Sequence, residues 1–538
     1  MSSASAADRP PAAAAAPATA SAPAAPRAAA FTPLQGAERA MGTLVLSLAT
    51  FMTVLDSSIA NVSLPAIAGD LGVSPHQGTW VITSFAVANA IAVPLTGWLT
   101  QRFGQVRLFT ASVVLFVLAS WLCGMAPNLE TLIAFRVFQG AVAGPLIPLS
   151  QTLLLASYPP AMAGTALAFW SITVLVAPVV GPLLGGWITD NITWPWIFYI
   201  NVPVGLVSAA LTWSIYRSRE SQRRKVPVDG VGLALMVIWI GAFQIMIDKG
   251  KELDWFGSTQ IVALAIVAAV GFVIFLVWEL TEAHPVVDLR LFAGRNFLAG
   301  TVALSIGYGL FFGTVVLLPL WLQQWMGYTA TWAGVAMAPV GLLAILLSPW
   351  VGKNIGRIDS RTLATVAFVG FALVMWMRSN FNTSAPLEVI LVPTVLQGAA
   401  VAFFFIPLQS IVYSGLKPGE LPSAAGMSNF VRISAGAFGT SIFTTLWDNR
   451  ASLHHARLVE QLNSGNEAAM QALARMVAGG LSPEQAHAAL NRIVDQQAYT
   501  MAVTDLFYLS ALVFIGLIGL IWLAQPRRGG AVDTGGAH

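Results

Sequence analysis

Chemistry in this sequence is concentrated in a few polar residues set inside long apolar runs. Asp56 is the only acid well inside such a run. A carboxylate at bilayer depth costs about 2.5–3.5 kcal/mol on insertion scales, so such groups usually line cavities. Desolvation favours the neutral form of a carboxyl and a nearby cation favours the charged form, so a group moved between those settings loads and releases a proton. The competing reading puts Asp56 near an interface, capped by Ser57, Ser58 or Asn61. Arg136 keeps its charge at any relevant pH, with Gln139 on the same helix face at i+3. It serves either as the fixed cation against which Asp56 titrates or as a clamp on backbone carbonyls of a neighbouring helix. Arg432 is a third charged group within a run, about two turns from its end, from where it can also snorkel to the interface.

Two motifs carry glycines rather than charge as their main feature. Ala177-Pro178-Val-Val-Gly181-Pro182-Leu-Leu-Gly185-Gly186 places small residues at turn spacing. Small residues let membrane helices approach closely, and Pro178 and Pro182 bend the helix, so the segment reads as a tightly packed pivot. Plain close packing is the simpler alternative. Gly97-Trp-Leu-Thr-Gln101-Arg102-Phe-Gly104-Gln-Val-Arg107 reads as a short loop clamping one helix bundle by charge. Ordinary basic anchoring explains Arg102 and Arg107 but not the glycines.

The elements that position these residues follow from composition. Of 538 residues, 56% are hydrophobic and 9% charged, and mean hydropathy is +0.73. Soluble domains carry about 25% charged residues. The deficit excludes a soluble enzyme, a disordered scaffold and a nucleic-acid binder, and indicates an all-α polytopic membrane protein. The net charge of +3 is too small to imply a polyanionic partner, and the single cysteine, Cys123, excludes an internal disulfide. Fourteen apolar segments of about 20 residues are legible, at 41–65, 77–99, 108–126, 132–154, 164–188, 197–216, 229–247, 259–280, 297–321, 330–350, 362–378, 388–413, 425–447 and 505–524. The Ala/Pro/Ser-rich stretch 1–40 lacks a continuous apolar core and reads as a disordered cytoplasmic tail. Eighteen of the 27 Lys and Arg fall on the side of the N-terminus and seven, including Arg378, on the other. By the positive-inside rule both termini are expected in the cytoplasm.

The chain also repeats. Leu64-Pro65, expected to close the first helix, recurs as Leu318-Pro319; Pro94-x-x-Gly97 recurs as Pro349-x-x-Gly352; Gln139-Gly140 recurs as Gln397-Gly398; and Gly181 matches Gly439. An ordered series at a nearly constant offset marks two parallel six-helix repeats. The expected organisation is therefore a tail (1–40), a first bundle (41–216), a basic connector with two inserted helices (217–296), a second bundle (297–524) and a short C-terminal tail (525–538). The second bundle includes an outer loop, 448–504, expected to hold two or three short amphipathic helices: Gly465-Asn466 reads as a stop and restart, and Ser482-Pro483-x-Gln485 as a capping box. His454 and His455 read as surface residues rather than metal ligands.

This ordered set resembles the major facilitator superfamily, in particular its fourteen-helix drug/proton antiporter branch. Leu55-Asp56-Ser-Ser58-Ile-Ala-Asn61-Val-Ser-Leu64-Pro65 matches the branch's first-helix motif. Gly97–Arg107 matches the loop-two motif, Arg136-x-x-Gln139-Gly140 the fourth-helix motif and Gly181-Pro182-x-x-Gly185-Gly186 the antiporter motif. Stretches such as FRVFQGAVAGPLIPLSQTLLL and WIFYINVPVG are similar to the inner-membrane pumps of tripartite efflux systems. The resemblance, which covers about residues 40–525, implies proton-coupled export of amphiphilic drugs without a cofactor. It also implies a periplasmic adaptor and outer-membrane channel as partners, the outer loop being the docking segment. One departure is that Gln101 stands where the loop-two motif carries an acid, which favours a steric or helix-capping latch with Arg102 over a charge relay. The rival classes are a membrane-embedded lipid-modifying enzyme, a channel and an exporter of one metabolite. The enzyme lacks clustered Asp, His or Cys at membrane depth, and the channel lacks charge rings or a filter loop. ATP drive lacks a G-x-x-x-x-G-K-[ST] loop.

Overall fold

The computed structural model describes residues 33–526 except 160–161, 222, 224–226, 228, 251–252, 284, 288, 417–419 and 463–465. The expected tail up to residue 32, the basic pair Arg224 and Lys225, and the C-terminal tail from 527 lie outside the described residues. Every regular element described is helical, as lipid requires of a chain that must satisfy its own backbone groups. The first half comprises α1 (Gly36–Asp70), α2 (Trp80–Ala92), α3 (Thr96–Phe103), α4 (Gln105–Gly124), α5 (Leu129–Ala143), α6 (Leu146–Ser157), α7 (Ala163–Asn191) and α8 (Asn201–Tyr216). The inserted pair is α9 (Gly230–Gly250) and α10 (Thr259–Thr281). The second half comprises α11 (Arg295–Gln324), α12 (Ala330–Met337), α13 (Val340–Asn354), α14 (Ser360–Arg378), α15 (Leu387–Ala402), α16 (Phe405–Val412), α17 (Leu421–Gln461), α18 (Glu467–Ala478) and α19 (Pro483–Ile521).

Among the described residues twelve helices are long and apolar enough to cross a membrane. The pair α2–α3, bent by 60°, makes a thirteenth, and the remaining expected segment, 425–447, lies within α17. All fourteen expected segments therefore fall on helices. Several boundaries differ. Helix α1 starts at Gly36, inside the expected tail, and Pro65 and Pro319 lie within α1 and α11 instead of ending them. Membrane helices accommodate proline because neighbouring helices satisfy the freed carbonyls.

The internal repeat is visible in how glycines face their neighbours. A Cβ on Gly140 would strike the Phe85 carbonyl, and one on its repeat mate Gly398 would strike the Val340 carbonyl. Helix α7 lies on α1, where a side chain at Gly181 would overlap Ser58 Oγ and one at Gly185 would come within 2.9 Å of the Ile59 carbonyl. In the second half α17 lies on α11 in the same way, with Gly439 against the backbone of Gly309. Helix α7 runs as one helix through Pro178 and Pro182, with Gly186 buried beside Gly185. The inserted helices α9 and α10 pack mainly on each other, and α9 also touches α2 and α17.

The loop 448–504 departs most from expectation. Its first part continues α17 to Gln461, and its last part opens α19, which runs unbroken into the final span; α18 is the one separate helix described between them. Extending an existing helix costs less than nucleating a new one. The expected capping residues are nevertheless used. Asn466 Oδ1 accepts from the Ala469 N–H at 3.1 Å, while Gly465 lies outside the described residues. Ser482 and Gln485 form a reciprocal capping box with Pro483 at the first helical position. His454 is buried rather than exposed. Its Nε2 lies 2.9 Å from Asp505 Oδ2, and His455 Nδ1 lies 2.7 Å from Asp495 Oδ1, so both histidines tie α17 to α19. Arg378, counted with the outer charges, is also fully buried.

Gly181→Leu and Gly185→Leu should each lower the apparent Tm of the detergent-solubilised protein by several degrees, given about 1–3 kcal/mol for overpacking. Gly241→Leu and Gly516→Leu, where an added Cβ meets nothing within 4 Å, should melt like wild type. Equal melting of all four variants in a fluorescence thermal-shift assay would mean that α1 and α7 do not depend on close backbone approach.

Candidate functional site

The first half closes around Asp56. Its carboxylate is 0% exposed, and the apolar helices around it leave hydrogen bonds within the protein as its means of stabilisation. Arg136 Nη1 on α5 donates to Asp56 Oδ2 at 2.6 Å and to Gln139 Oε1 at 2.6 Å. Gln139 Nε2 donates to Asp56 Oδ1 at 3.1 Å and Asn201 Nδ2 on α8 donates to the same oxygen at 2.8 Å. Both amides also donate to Ser120 Oγ on α4, at 3.0 and 2.9 Å. Arg136 Nε donates to the Val81 carbonyl on α2 at 2.9 Å, and the guanidinium lies over the Phe85 ring at 4.2 Å. One side chain thus contacts both the Asp56 carboxylate and the backbone of a neighbouring helix.

Three of the expected site residues, Asp56, Arg136 and Gln139, meet here. Asn61 does not; it is exposed, and its Nδ2 donates to the Ser57 carbonyl. Asn201, Ser120 and Phe85 were missed. A lone amide in the apolar stretch Trp196–Leu206 was a usable signal for Asn201, whereas a serine or a phenylalanine in a membrane helix carries none. Glu279 was missed as well. It lies near the end of α10, 1% exposed, with Oε2 accepting from the Val287 N–H and Oε1 without a partner.

Arg432 sits apart from this cluster, between the halves. It does not snorkel: it is 1% exposed, with its guanidinium 4.5 Å from the Tyr308 ring centroid and 6.0 Å from those of Trp170 and Phe405. Nη2 donates to Asn429 Oδ1 at 2.7 Å. A polar chain crosses the halves beside it, with Gln151 on α6 accepting from Asn429 and Tyr413 and donating to Gln409 Oε1 on α16. Arg378 is enclosed within the second half, where Nη2 donates to Gln397 Oε1 at 2.7 Å and Thr394 Oγ1 at 3.2 Å. Gln397, the repeat mate of Gln139, therefore also meets an arginine, but no carboxylate joins them in the ion pairs described.

The segment Gly97–Arg107 is mostly helix, not loop. Gly104 alone separates α3 from α4, at φ +91°, a left-handed conformation that favours glycine. The cap on α4 comes from the connector. Glu220 accepts from the Val106 and Arg107 N–H groups at 3.0 Å each, and Ser221 Oγ accepts from the Gln105 N–H at 3.0 Å. Arg102, expected to form the latch, instead lies exposed over the Trp98 ring at 5.4 Å, with Gln101 exposed beside it. The glycines have a different use. An added Cβ on Gly97 would touch Ser423 of the second half, and one on Gly352, its repeat mate, would press on the Gly164 carbonyl of the first.

Comparison with known proteins accords with this architecture. The sequence profile of the Major Facilitator Superfamily matches residues 46–440. The multidrug export protein EmrB of Haemophilus influenzae is 51% identical over 93% of this chain and 98% of its own length. EmrB of Escherichia coli K12 is 50% identical over 94% and 99%, and the fatty acid resistance protein FarB of Neisseria gonorrhoeae 49% identical over 92% and 98%. Among solved structures, the proton:xylose symporter XylE superposes with a TM-score of 0.55 at 14% identity, covering 92% of this chain and 98% of that one, a likeness of fold alone. A matched profile over most of the spans, half-identical relatives along nearly the full length and a doubled six-helix fold make this multi-pass membrane protein a member of the major facilitator superfamily.

Proposed function

We propose that the chain is a proton-driven antiporter that exports amphiphilic organic compounds, drugs among them, across the bacterial inner membrane, with both termini in the cytoplasm. The observation that carries this reading is the buried Asp56–Arg136 pair with Gln139 and Asn201 around it. When Asp56 takes a proton its attraction to Arg136 is lost, while Arg136 keeps the Val81 carbonyl and Gln139 Oε1 as acceptors. A buried carboxylate parted from its cation takes up a proton in preference to staying charged in apolar surroundings. Proton loading and a relative movement of α1 against α5 are then one event. Gly181 and Gly185 bring α1 and α7 close together, and Gly97 and Gly352 do the same between the halves, so added side chains there would obstruct that movement. The energy comes from the proton gradient, with no cofactor. The names of the half-identical relatives, multidrug export and fatty acid resistance proteins, support amphiphiles as cargo.

The long extensions of α17 and α19, with α18 between them, form a platform on the side proposed to face the periplasm. Trp447 Nε1 donates to the Tyr499 carbonyl, and Trp325 stacks on the Tyr499 ring at 4.2 Å, which fixes the platform to the second bundle. Met470, Val477 and Leu481 stand exposed on and beside α18. Such a surface suits a periplasmic adaptor that passes cargo to an outer-membrane channel, so that a membrane-permeant drug does not return.

In proteoliposomes with an imposed pH gradient, Asp56→Asn should insert normally and lose gradient-driven efflux, since the amide keeps size and hydrogen bonding but does not titrate; efflux at wild-type rate would remove Asp56 from the coupling step. Arg136→Lys should lose at least about tenfold in efflux rate, because an ammonium does not replace the guanidinium fork that holds Val81, Gln139 and Asp56 together. Full activity of that variant would reduce Arg136 to a point charge. Replacing 462–482 by a short Gly/Ser linker should preserve efflux in liposomes while removing resistance in cells and co-purification with the adaptor. Co-purification that persists would place docking on other surfaces.

A further inference from the structure

The three arginines buried between or within the bundles do not have equivalent partners. Arg136 faces a carboxylate at 2.6 Å. Arg432 faces an amide oxygen and three aromatic rings, and its Nε and Nη1 are buried with no acceptor. Four arginines have a carboxylate partner elsewhere: Arg136 with Asp56, Arg107 with Glu220, Arg361 with Asp359, and Arg450 with Asp505. A buried guanidinium with three unused N–H donors is costly unless something joins it. Arg378 also has unpartnered nitrogens, but α14, α15 and α19 of a single bundle enclose it. Arg432 lies between the halves, where Trp170 of the first half and Tyr308 and Phe405 of the second meet.

We propose that Arg432 is the residue that receives the acidic headgroup of the exported amphiphile, with Trp170, Tyr308 and Phe405 as the wall against which its apolar body lies. The assignment rests on the export reading above and names the cargo's chemical class: a carboxylate or comparable oxyanion carried on a hydrocarbon or aromatic body. The rings exclude water from the guanidinium, which strengthens a charge-assisted hydrogen bond to an oxyanion. Their faces also attract the guanidinium and hold it in place while the site is empty. Further hydroxyls lie nearby along the same helices: Ser428 is one turn from Arg432 on α17 and Ser305 one turn from Tyr308 on α11, and the Oγ atoms of both are buried without a partner. A cleft lined by Gly97, Trp98, Gln101, Ser423 and Met427 reaches α17 five residues before Arg432, a rise of about 7–8 Å along the helix.

The test uses the full-length protein in nanodiscs and proteoliposomes with three probes that share one tail: dodecanoate, dodecanamide and dodecyltrimethylammonium. Wild type should bind dodecanoate more tightly than the other two. Arg432→Gln should weaken dodecanoate binding by about tenfold or more and leave dodecanamide and dodecyltrimethylammonium within about twofold. Those two probes also report whether the variant is folded. If the glutamine variant fails to insert, Arg432→Lys serves in its place: dodecanoate should bind it more weakly than wild type but still ahead of the trimethylammonium probe. Equal loss of all three probes in Arg432→Gln, or unchanged dodecanoate binding, would overturn the assignment. Binding that depends on Arg432 without gradient-driven transport would uphold the acid site and overturn the export reading instead.

Discussion

The ion pair between Asp56 and Arg136 constrains everything around it. Each group, taken alone from water into the bundle, loses solvation worth several kcal/mol, and contact between them offsets that loss only when the remaining lone pairs and N–H groups are also satisfied. Here the remaining sites are filled from three other positions, the Val81 carbonyl on α2, Gln139 on α5 and Asn201 on α8, and Ser120 on α4 in turn accepts from both amides. The pair thus dictates the approach of five helices, counting α1. The first half is the more polar in its interior and the second the more aromatic, with Phe371, Phe381, Phe404, Phe507 and Phe514 in one continuous cluster.

Such a cluster is useful for coupling only if its helices can change neighbours without losing their packing. Glycine provides for this. Where α1 meets α7, Gly181 and Gly185 let Ser58 and Ile59 approach closely, and where α11 meets α17, Gly439 lies directly against the backbone of Gly309. The same holds where Gly97 approaches Ser423 and Gly352 approaches Gly164 across the halves. The two halves use equivalent glycines at equivalent crossings, so the repeat keeps the close approaches. What it does not keep is the charge. The position of Gln139 recurs as Gln397 beside Arg378, while the acid does not recur, so among the ion pairs described a single half holds a buried carboxylate–guanidinium pair.

The platform of α17, α18 and α19 shows how apolar spans and a polar surface can share one helix. Helices α17 and α19 leave the apolar layer without a break, because each additional turn continues a ladder already formed. Held together by the two histidine–aspartate contacts and by Trp447 on Tyr499, they carry α18 on a support continuous with the second bundle. A movement of that bundle is therefore felt directly at the platform.

Much of this was legible in the sequence. Hydropathy alone placed fourteen segments, since a span is a one-dimensional property of about 20 residues and lipid allows them one backbone solution. The constant offsets gave the doubled bundle, and an acid, an arginine and a glutamine stranded in apolar runs named the core of the candidate site, because charge at membrane depth is rarely idle. The partners were a different matter. That Asn201 and Ser120 complete the cluster, that Asn61 stays outside it, that Glu220 caps α4 where Arg102 was expected, and that Arg378 and His454 are buried all depend on which helix face meets which. The helical period of 3.6 residues fixes a side chain's direction on its own helix but not the rotation of the helix in the bundle. That rotation is set by the sum of contacts between segments far apart in the chain, so it was decided only when the helices packed.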